Sequence, residues 1–164
     1  MKMIFDLDMD KCVACGACAV ACMDQNDTAP EKGETPFRWV GALGPGLGDG
    51  RFTWLSVACM HCGDAPCIPA CPVCCIKKDE RGLTVYDNTL CIGCHSCAMA
   101  CPYGAPTYGG DGRMRKCDGC AVRQKYGYAP ACVRVCPTGA LLCVPEEEYR
   151  EIRPQSSLRE NNKI

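Results

Sequence analysis

Histidine is almost missing from this sequence: two residues in 164, too few to build Cys/His zinc fingers. Aromatic residues are scarce at 7%, with phenylalanine occurring three times, so an ordinary hydrophobic core has to be thin. Acidic and basic residues nearly cancel, leaving a formal charge of −1, and that balance carries no electrostatic footprint for nucleic acid. No stretch approaches the roughly 20 apolar residues of a spanning helix. The opening MKMIFDLDMDKC has no twin-arginine pair, apolar h-region or cleavage site, so an export signal is not expected. The expected location is cytoplasmic; the alternative is export or membrane association through a partner. No nucleophile–base pair, carboxylate dyad or substrate-pocket signature is present, and no bond chemistry is expected of the chain itself.

What the sequence has instead is cysteine, 19 of 164 residues, a density that marks a disulfide scaffold or a metal protein. An odd number cannot pair completely within the chain, and the residues bunch as CxxC, which points to free thiolates acting as ligands. Four runs emerge. Cys91, Cys94, Cys97 and Cys101 (CIGCHSCAMACP) are separated by two, two and three residues, with Pro102 after the last. This is the spacing that holds [4Fe–4S] clusters in bacterial ferredoxins, where the fourth cysteine serves the neighbouring cluster. Cys12, Cys15, Cys18 and Cys22 repeat the spacing, with Met23 in place of the proline. Cys59, Cys62, Cys67 and Cys71, followed by Pro72, enlarge the middle gap to four residues. Cys117, Cys120, Cys132 and Cys136, followed by Pro137, enlarge it to eleven. A small chain with a thin core needs staples, and clusters can supply them, so the metal-free chain is expected to be unfolded or close to it.

Two ferredoxin-like units can be built in tandem or nested. The interval between Cys71 and Cys91 leaves room for one hairpin, whereas that between Cys22 and Cys59 exceeds what one hairpin needs. Nesting is therefore favoured, with the strand before Cys12 free to pair with the strand after Cys136. Crossing over each fourth cysteine then gives four sites. Site a takes Cys12, Cys15, Cys18 and Cys136; site b takes Cys22, Cys117, Cys120 and Cys132. Site c takes Cys59, Cys62, Cys67 and Cys101; site d takes Cys71, Cys91, Cys94 and Cys97. Tandem units would use the same sixteen ligands with different sharing. The expected fold is α+β, with short helices and small antiparallel hairpins. Its outer unit comes from residues 1–35 and 112–145 and its inner unit from 51–111. A hairpin with a glycine-rich loop spans 36–50, and a tail spans 146–164.

Strands are expected at Met3–Met9, Phe37–Val40, Phe52–Ala58, around Leu83 and Val85, and at Ala140–Val144. A short helix should begin near Cys18, and another should open the tail. GALGPGLGDG (41–50) lacks the GK[ST] of a phosphate cradle and reads as a loop. Thiolate suits iron because it is soft, and the two residues between ligands let backbone amides turn toward the cluster. Four oxidised clusters would add a charge of about −8. Arg113, Arg115, Lys116, Arg123, Lys125 and Arg134 crowd the fourth run; they offset that charge, dock an acidic partner, or form a solvated basic face. Cys74, Cys75 and Cys143 lie outside the runs, and Cys75, at the place Ala140 holds after the fourth run, reads as a small buried hydrophobe. His61 and His95 sit beside ligands and read as their neighbours, not as ligands. Isolated CxxC pairs often bind zinc, but four runs of this form do not resemble zinc ribbons.

CMHCGDAPCIPACP, GLTVYDNTLCIGCHSCAMACPYGAPTY and RKCDGCAVRQKYGYAPACVRVCPTGAL together resemble the iron–sulfur subunits of the dimethyl sulfoxide reductase family, over about residues 4–145. The resemblance is specific, because the irregular gaps of the second and fourth runs match as well. It implies nested sharing of four [4Fe–4S] clusters. It also implies an electron-transfer role between a molybdenum- or tungsten-pterin catalytic subunit and a further redox subunit. That second partner could be a flavin/NAD subunit, another iron–sulfur subunit or a membrane anchor. The loop before Cys117 and the tail are short here, which argues against quinone chemistry. Similar short subunits accompany tungsten aldehyde oxidoreductases and filament-forming formate or hydrogen enzymes, so self-association into a filament is a further expectation. The competing readings are a freely diffusing polyferredoxin and a metal-dependent scaffold without redox work.

Overall fold

The computed structural model describes residues 1–44 and 52–153; most of the glycine-rich loop and the tail beyond residue 153 lie outside the described residues. The described residues hold four two-stranded antiparallel sheets, five short α-helices and two 3₁₀ helices, Pro30–Lys32 and Asn88–Leu90, joined by loops. One of the two longest strand pairings links a strand early in the chain to one late in it. Strand β1 (Met3–Leu7) pairs antiparallel with β8 (Leu141–Pro145), Met3 opposite Pro145 and Leu7 opposite Leu141. The amide of Asp8 donates to the Ala140 carbonyl at 2.8 Å and that of Glu146 to the Lys2 carbonyl at 2.9 Å, extending the ladder at both ends. Helix α5 (Glu146–Ile152) follows β8 directly and buries Tyr149. Just past its end, Arg153 pairs with Asp6 at 3.3 Å and Asp8 at 2.9 Å. Burial acts to raise the Asp8 carboxyl, but Lys11 and Arg153 outweigh it and hold the group below its usual value.

Between these ends, α1 (Ala17–Gln25) carries Cys18 and Cys22 one turn apart, both buried, because residues four apart share a helix face. Strands β2 (Trp39–Leu43) and β3 (Thr53–Val57) form a hairpin. The first begins two residues later than expected, and Arg38 before it turns inward to donate to the Ser56 carbonyl and hydroxyl, both at 3.0 Å. A boundary at residue 51 would cut β3 from its partner β2. Strands β4 (Ile76–Lys78) and β5 (Thr84–Tyr86) pair across a turn in which Asp79 accepts from the amides of Arg81 and Leu83 at 3.0 and 2.8 Å. Helix α2 (Ser96–Ala100) leads to Cys101 and Pro102, where the proline cannot continue the helical ladder. Strands β6 (Thr107–Tyr108) and β7 (Met114–Arg115) form a further hairpin that straddles residues 111 and 112, and two-residue strands leave no periodicity to read. Helices α3 (Ala121–Lys125) and α4 (Ala131–Arg134) complete the fourth run.

The core is as thin as the composition implies. One buried cluster joins Cys67, Cys71, Cys75 and Cys97 to Ala65, Ile76 and Met114; a second joins Cys18 and Cys132 to Leu141. Of the five largest fully buried side chains, Lys116 and Thr84 are polar.

Candidate metal centres

The cysteines of different runs come together. Cys22, Cys117, Cys120 and Cys132 line one solvent-open cavity of about 330 Å³. Cys71, Cys91, Cys94 and Cys97 line another of about 270 Å³, and Cys12, Cys15, Cys18 and Cys136 a third of about 320 Å³. The remaining quartet is visible in its electrostatics. Burial pushes the Cys62 and Cys67 thiols up, and Cys59 and Cys101 add to the rise at both. Among the described residues no three His, Cys, Asp or Glu side chains converge closely enough to hold a single metal ion. Thiol quartets that ring a shared space without converging on one point suit a polynuclear iron–sulfur cluster better than one tetrahedral zinc.

The backbone explains how each run wraps its site. In all four, the residue just before the second cysteine has positive φ: Ala14 at 50°, His61 at 47°, Gly93 at 68° and Gly119 at 76°. Such a residue reverses the chain and turns successive amides inward, as in anion-binding nests. Ala14 and His61 adopt it without glycine's freedom, at a cost of about 1–2 kcal/mol each. A second rule follows the fourth cysteine in the three runs that end in proline. The residue three positions on again has positive φ (Cys74, Gly104 and Gly139). The next amide then faces the sulfur, with Ala105 donating to Cys101 at 3.4 Å and Ala140 to Cys136 at 3.2 Å. Cys74 is thus an exposed thiol where the two sister turns have glycine. Cys74→Gly is expected to stabilise the iron-loaded protein by about 1 kcal/mol, raising Tm by roughly 2–4 °C with iron content unchanged. A lower Tm in an anaerobic melt would show that the thiol has a role the backbone does not reveal.

Side-chain donors complete the shells. At the first cavity Asn26 donates to Cys22 at 3.5 Å, and at the third Ser56 bonds Cys18 at 3.2 Å and Thr138 bonds Cys136 at 3.7 Å. At the second, the Met114 amide donates to Cys91 at 3.3 Å, while the Tyr108 hydroxyl bonds Cys97 at 3.5 Å. Tyr108 also stacks on His95, ring centroids 3.7 Å apart. Cys75 is buried with its sulfur 3.4 Å from that of Cys71. Burial and Cys71 push the Cys75 thiol up to about 12. Burial acts in the same direction on Cys71, but bonds from the Cys75 thiol and nearby amides hold it below the ordinary value; Cys75 therefore keeps the proton and donates it. Cys75 is the small buried residue its position implies, with a donor added. Burial pushes the Cys22 thiol up to about 11 and raises Cys117 further, so ligation must displace protons from them.

His61 lies between quartets. Its own neighbour in sequence is Cys62, its Nδ1 accepts from the Thr84 amide at 3.0 Å, and its Nε2 is 3.7 Å from the Cys117 sulfur. Burial, aided by Lys116 and Lys78, pushes the imidazole down to about 3. The ring is therefore neutral, carries its proton on Nε2 and donates to Cys117. Lys116 is 1% exposed, so of the three readings open to the basic residues of the fourth run it fits the offset of internal charge and not a solvated face. Of its run-mates, Arg115 pairs with Glu34 and Asp111, and Arg123 bonds Ala129 and Gln25.

Cysteine quartets carried on short helices and two-stranded hairpins define a ferredoxin-like iron–sulfur protein. The 4Fe-4S dicluster domain family matches residues 51–145. The sequence is 40% identical to that of YnfG, a probable anaerobic dimethyl sulfoxide reductase chain of Escherichia coli, over 90% of this protein and 75% of that one. It is equally similar, with the same coverage, to the B subunit of the anaerobic dimethyl sulfoxide reductase of the same organism. It is 38% identical to the arsenate respiratory reductase iron–sulfur subunit ArrB of a Shewanella strain, over 66% of this protein and 45% of that one. This protein belongs to the iron–sulfur subunits of the dimethyl sulfoxide reductase family.

Proposed function

We infer that this protein binds four [4Fe–4S] clusters at sites a to d and conducts electrons between a molybdenum- or tungsten-pterin catalytic subunit and a second redox partner. When bound, such clusters supply one-electron storage at potentials within about −700 to +450 mV. The observation that carries this reading is the distribution of exposure among the quartets. An exposed cysteine occurs once at site a (Cys15) and once at site d (Cys94), and at neither b nor c. The sites also have a natural order. Helix α1 joins a to b through Cys18 and Cys22, and His61 and Lys116 join b to c. Between c and d, one link runs from Cys67 to Cys71 and another through α2 from Cys97 to Cys101. Electrons would enter and leave at the two ends, where large apolar side chains are exposed: Val13 and Val20 beside site a, and Leu90, Ile92 and Met99, the last 88% exposed, beside site d. Met60 and Val122 are likewise exposed beside sites c and b, so the exposed thiols, and not apolar surface, distinguish the two ends.

On this reading the β1–β8 pairing closes an outer two-cluster unit around an inner one. The reductases and the arsenate enzyme named among its relatives support a catalytic partner of the same kind. No helix among the described residues is long and apolar enough to cross a membrane. Native isolation tests the reading. The expected result is co-migration with a larger pterin-containing subunit and interacting S = 1/2 signals after dithionite reduction. A stable monomer retaining all its clusters would contradict the subunit role and favour a diffusing polyferredoxin.

A further inference from the structure

Lys116 stands immediately before Cys117 of site b, yet its ammonium reaches site c. Its Nζ donates to the Cys59 sulfur at 3.6 Å, to the Cys117 carbonyl at 3.0 Å and to the Thr84 carbonyl. It also lies over the Tyr86 ring, 5.6 Å from the centroid. At 1% exposure, no Asp or Glu among the described residues comes within ion-pair distance of it. A buried ammonium satisfied only by carbonyls is costly, and buried charges are retained where they are paired. The group within its reach that would carry negative charge is the Cys59 sulfur, a ligand of site c on the four-cluster reading.

The other quartets are solvated differently. The side chains bonded to sulfur at sites a, b and d are neutral: Ser56 and Thr138, Asn26 and His61, and Tyr108, Cys75 and Ser96. Arg38 lines the cavity of site b, but its hydrogen bonds go to Ser56. The other cation at site c is Lys78, which donates to the carbonyls of His61, Cys62 and Gly82 and to the Thr84 hydroxyl, not to sulfur. Lys116 is therefore the one charged group bonded directly to a quartet sulfur among the described residues.

We propose that Lys116 is the fixed internal countercharge of site c and selectively raises its reduction potential. The inference rests on the four-cluster reading above. Adding one electron, here from dithionite, increases the negative charge at site c. A cation held against a ligand sulfur stabilises the reduced form more than the oxidised form. Lys116 acts through Cys59 and is a positioning residue, not a ligand.

The test is an anaerobic redox titration followed by EPR on the intact native protein, comparing parent, Lys116→Met, Lys116→Gln and Lys116→Arg, with iron and labile sulfide counted on each. Methionine fills the volume without charge, and glutamine keeps a donor for the Thr84 carbonyl should methionine impair folding. The expected result is unchanged iron in at least one neutral variant, with one component reduced at least tenfold less readily, which is 59 mV for one electron. Lys116→Arg should restore the potential toward the parent value. Parent-like potentials in a neutral variant overturn the proposal, as does loss of site c iron in both neutral variants with retention in Lys116→Arg, which would make the residue structural. A parent protein short of four clusters would show separately in its iron count, and the parent-to-variant shift would still be readable.

Discussion

Anaerobic removal of iron by a strong chelator is expected to unfold the protein, abolishing its cooperative thermal transition and most of its far-UV circular dichroism. Folded domains of ordinary composition hold a margin of only about 5–15 kcal/mol, and this one has few apolar groups with which to hold it. Both buried clusters are built around cysteine, and among the described residues the large apolar side chains that are fully buried come down to Ile76, Leu83 and Met114. The sheets have two strands each, and an isolated hairpin is marginal in water at best. Positive φ at Ala14 and His61 and the buried Lys116 charge work against the fold unless a cluster compensates them. A stripped protein that kept a cooperative melt would show that packing alone suffices and that the quartets are not the core.

The second large effect separates sharing between runs from ligation within a run. Cys101→Ser is expected to empty its site, removing about four iron atoms per chain. It should also expose thiols that are not its neighbours in sequence. Alkylation of the folded protein, read by peptide mass spectrometry, should rise from near zero to near completion at Cys59, Cys62 and Cys67, the nearest of which lies 34 residues earlier. Cys91, Cys94 and Cys97, its own run-mates, should stay protected. Alkylation of those three instead would contradict the crossed arrangement. The structural reason is α2, which begins at Ser96 and carries Cys97 on its first turn, with Cys101 at its end. Cys97 lines the cavity with Cys71 and Cys91, whereas Cys101 acts on Cys62 and Cys67.

These two effects also mark what could be read from the sequence. The ligand runs were legible because iron–thiolate chemistry fixes spacing within a few residues, and a gap of two survives in every run. The pairing of β1 with β8 was legible because Met3–Met9 alternates, Ala140–Val144 is a short apolar run and each abuts a cysteine run, and the observed register confirms that pairing. Other features had no local signal. Hairpin β6–β7 has two residues per strand, too few for alternation. The onset of β2 depends on Arg38 turning inward to Ser56, a partner across the hairpin. Ala14 and His61 adopt a backbone usually left to glycine because the loop geometry imposes it; Gly93 and Gly119 were the available hints. Lys116 is one cation in a stretch with Arg113 and Arg115, and composition cannot say which of them turns inward. The missed signal was positional: Lys116 abuts Cys117, where the backbone passes between two quartets.

The central claim, that sixteen cysteines hold four clusters in one chain, is tested most directly by iron and acid-labile sulfide on anaerobically purified, fully loaded protein. Four intact clusters predict about 16 iron and about 16 sulfide per chain. A fully loaded protein that holds about 8 of each, with two of the four quartets open to alkylation, would contradict it.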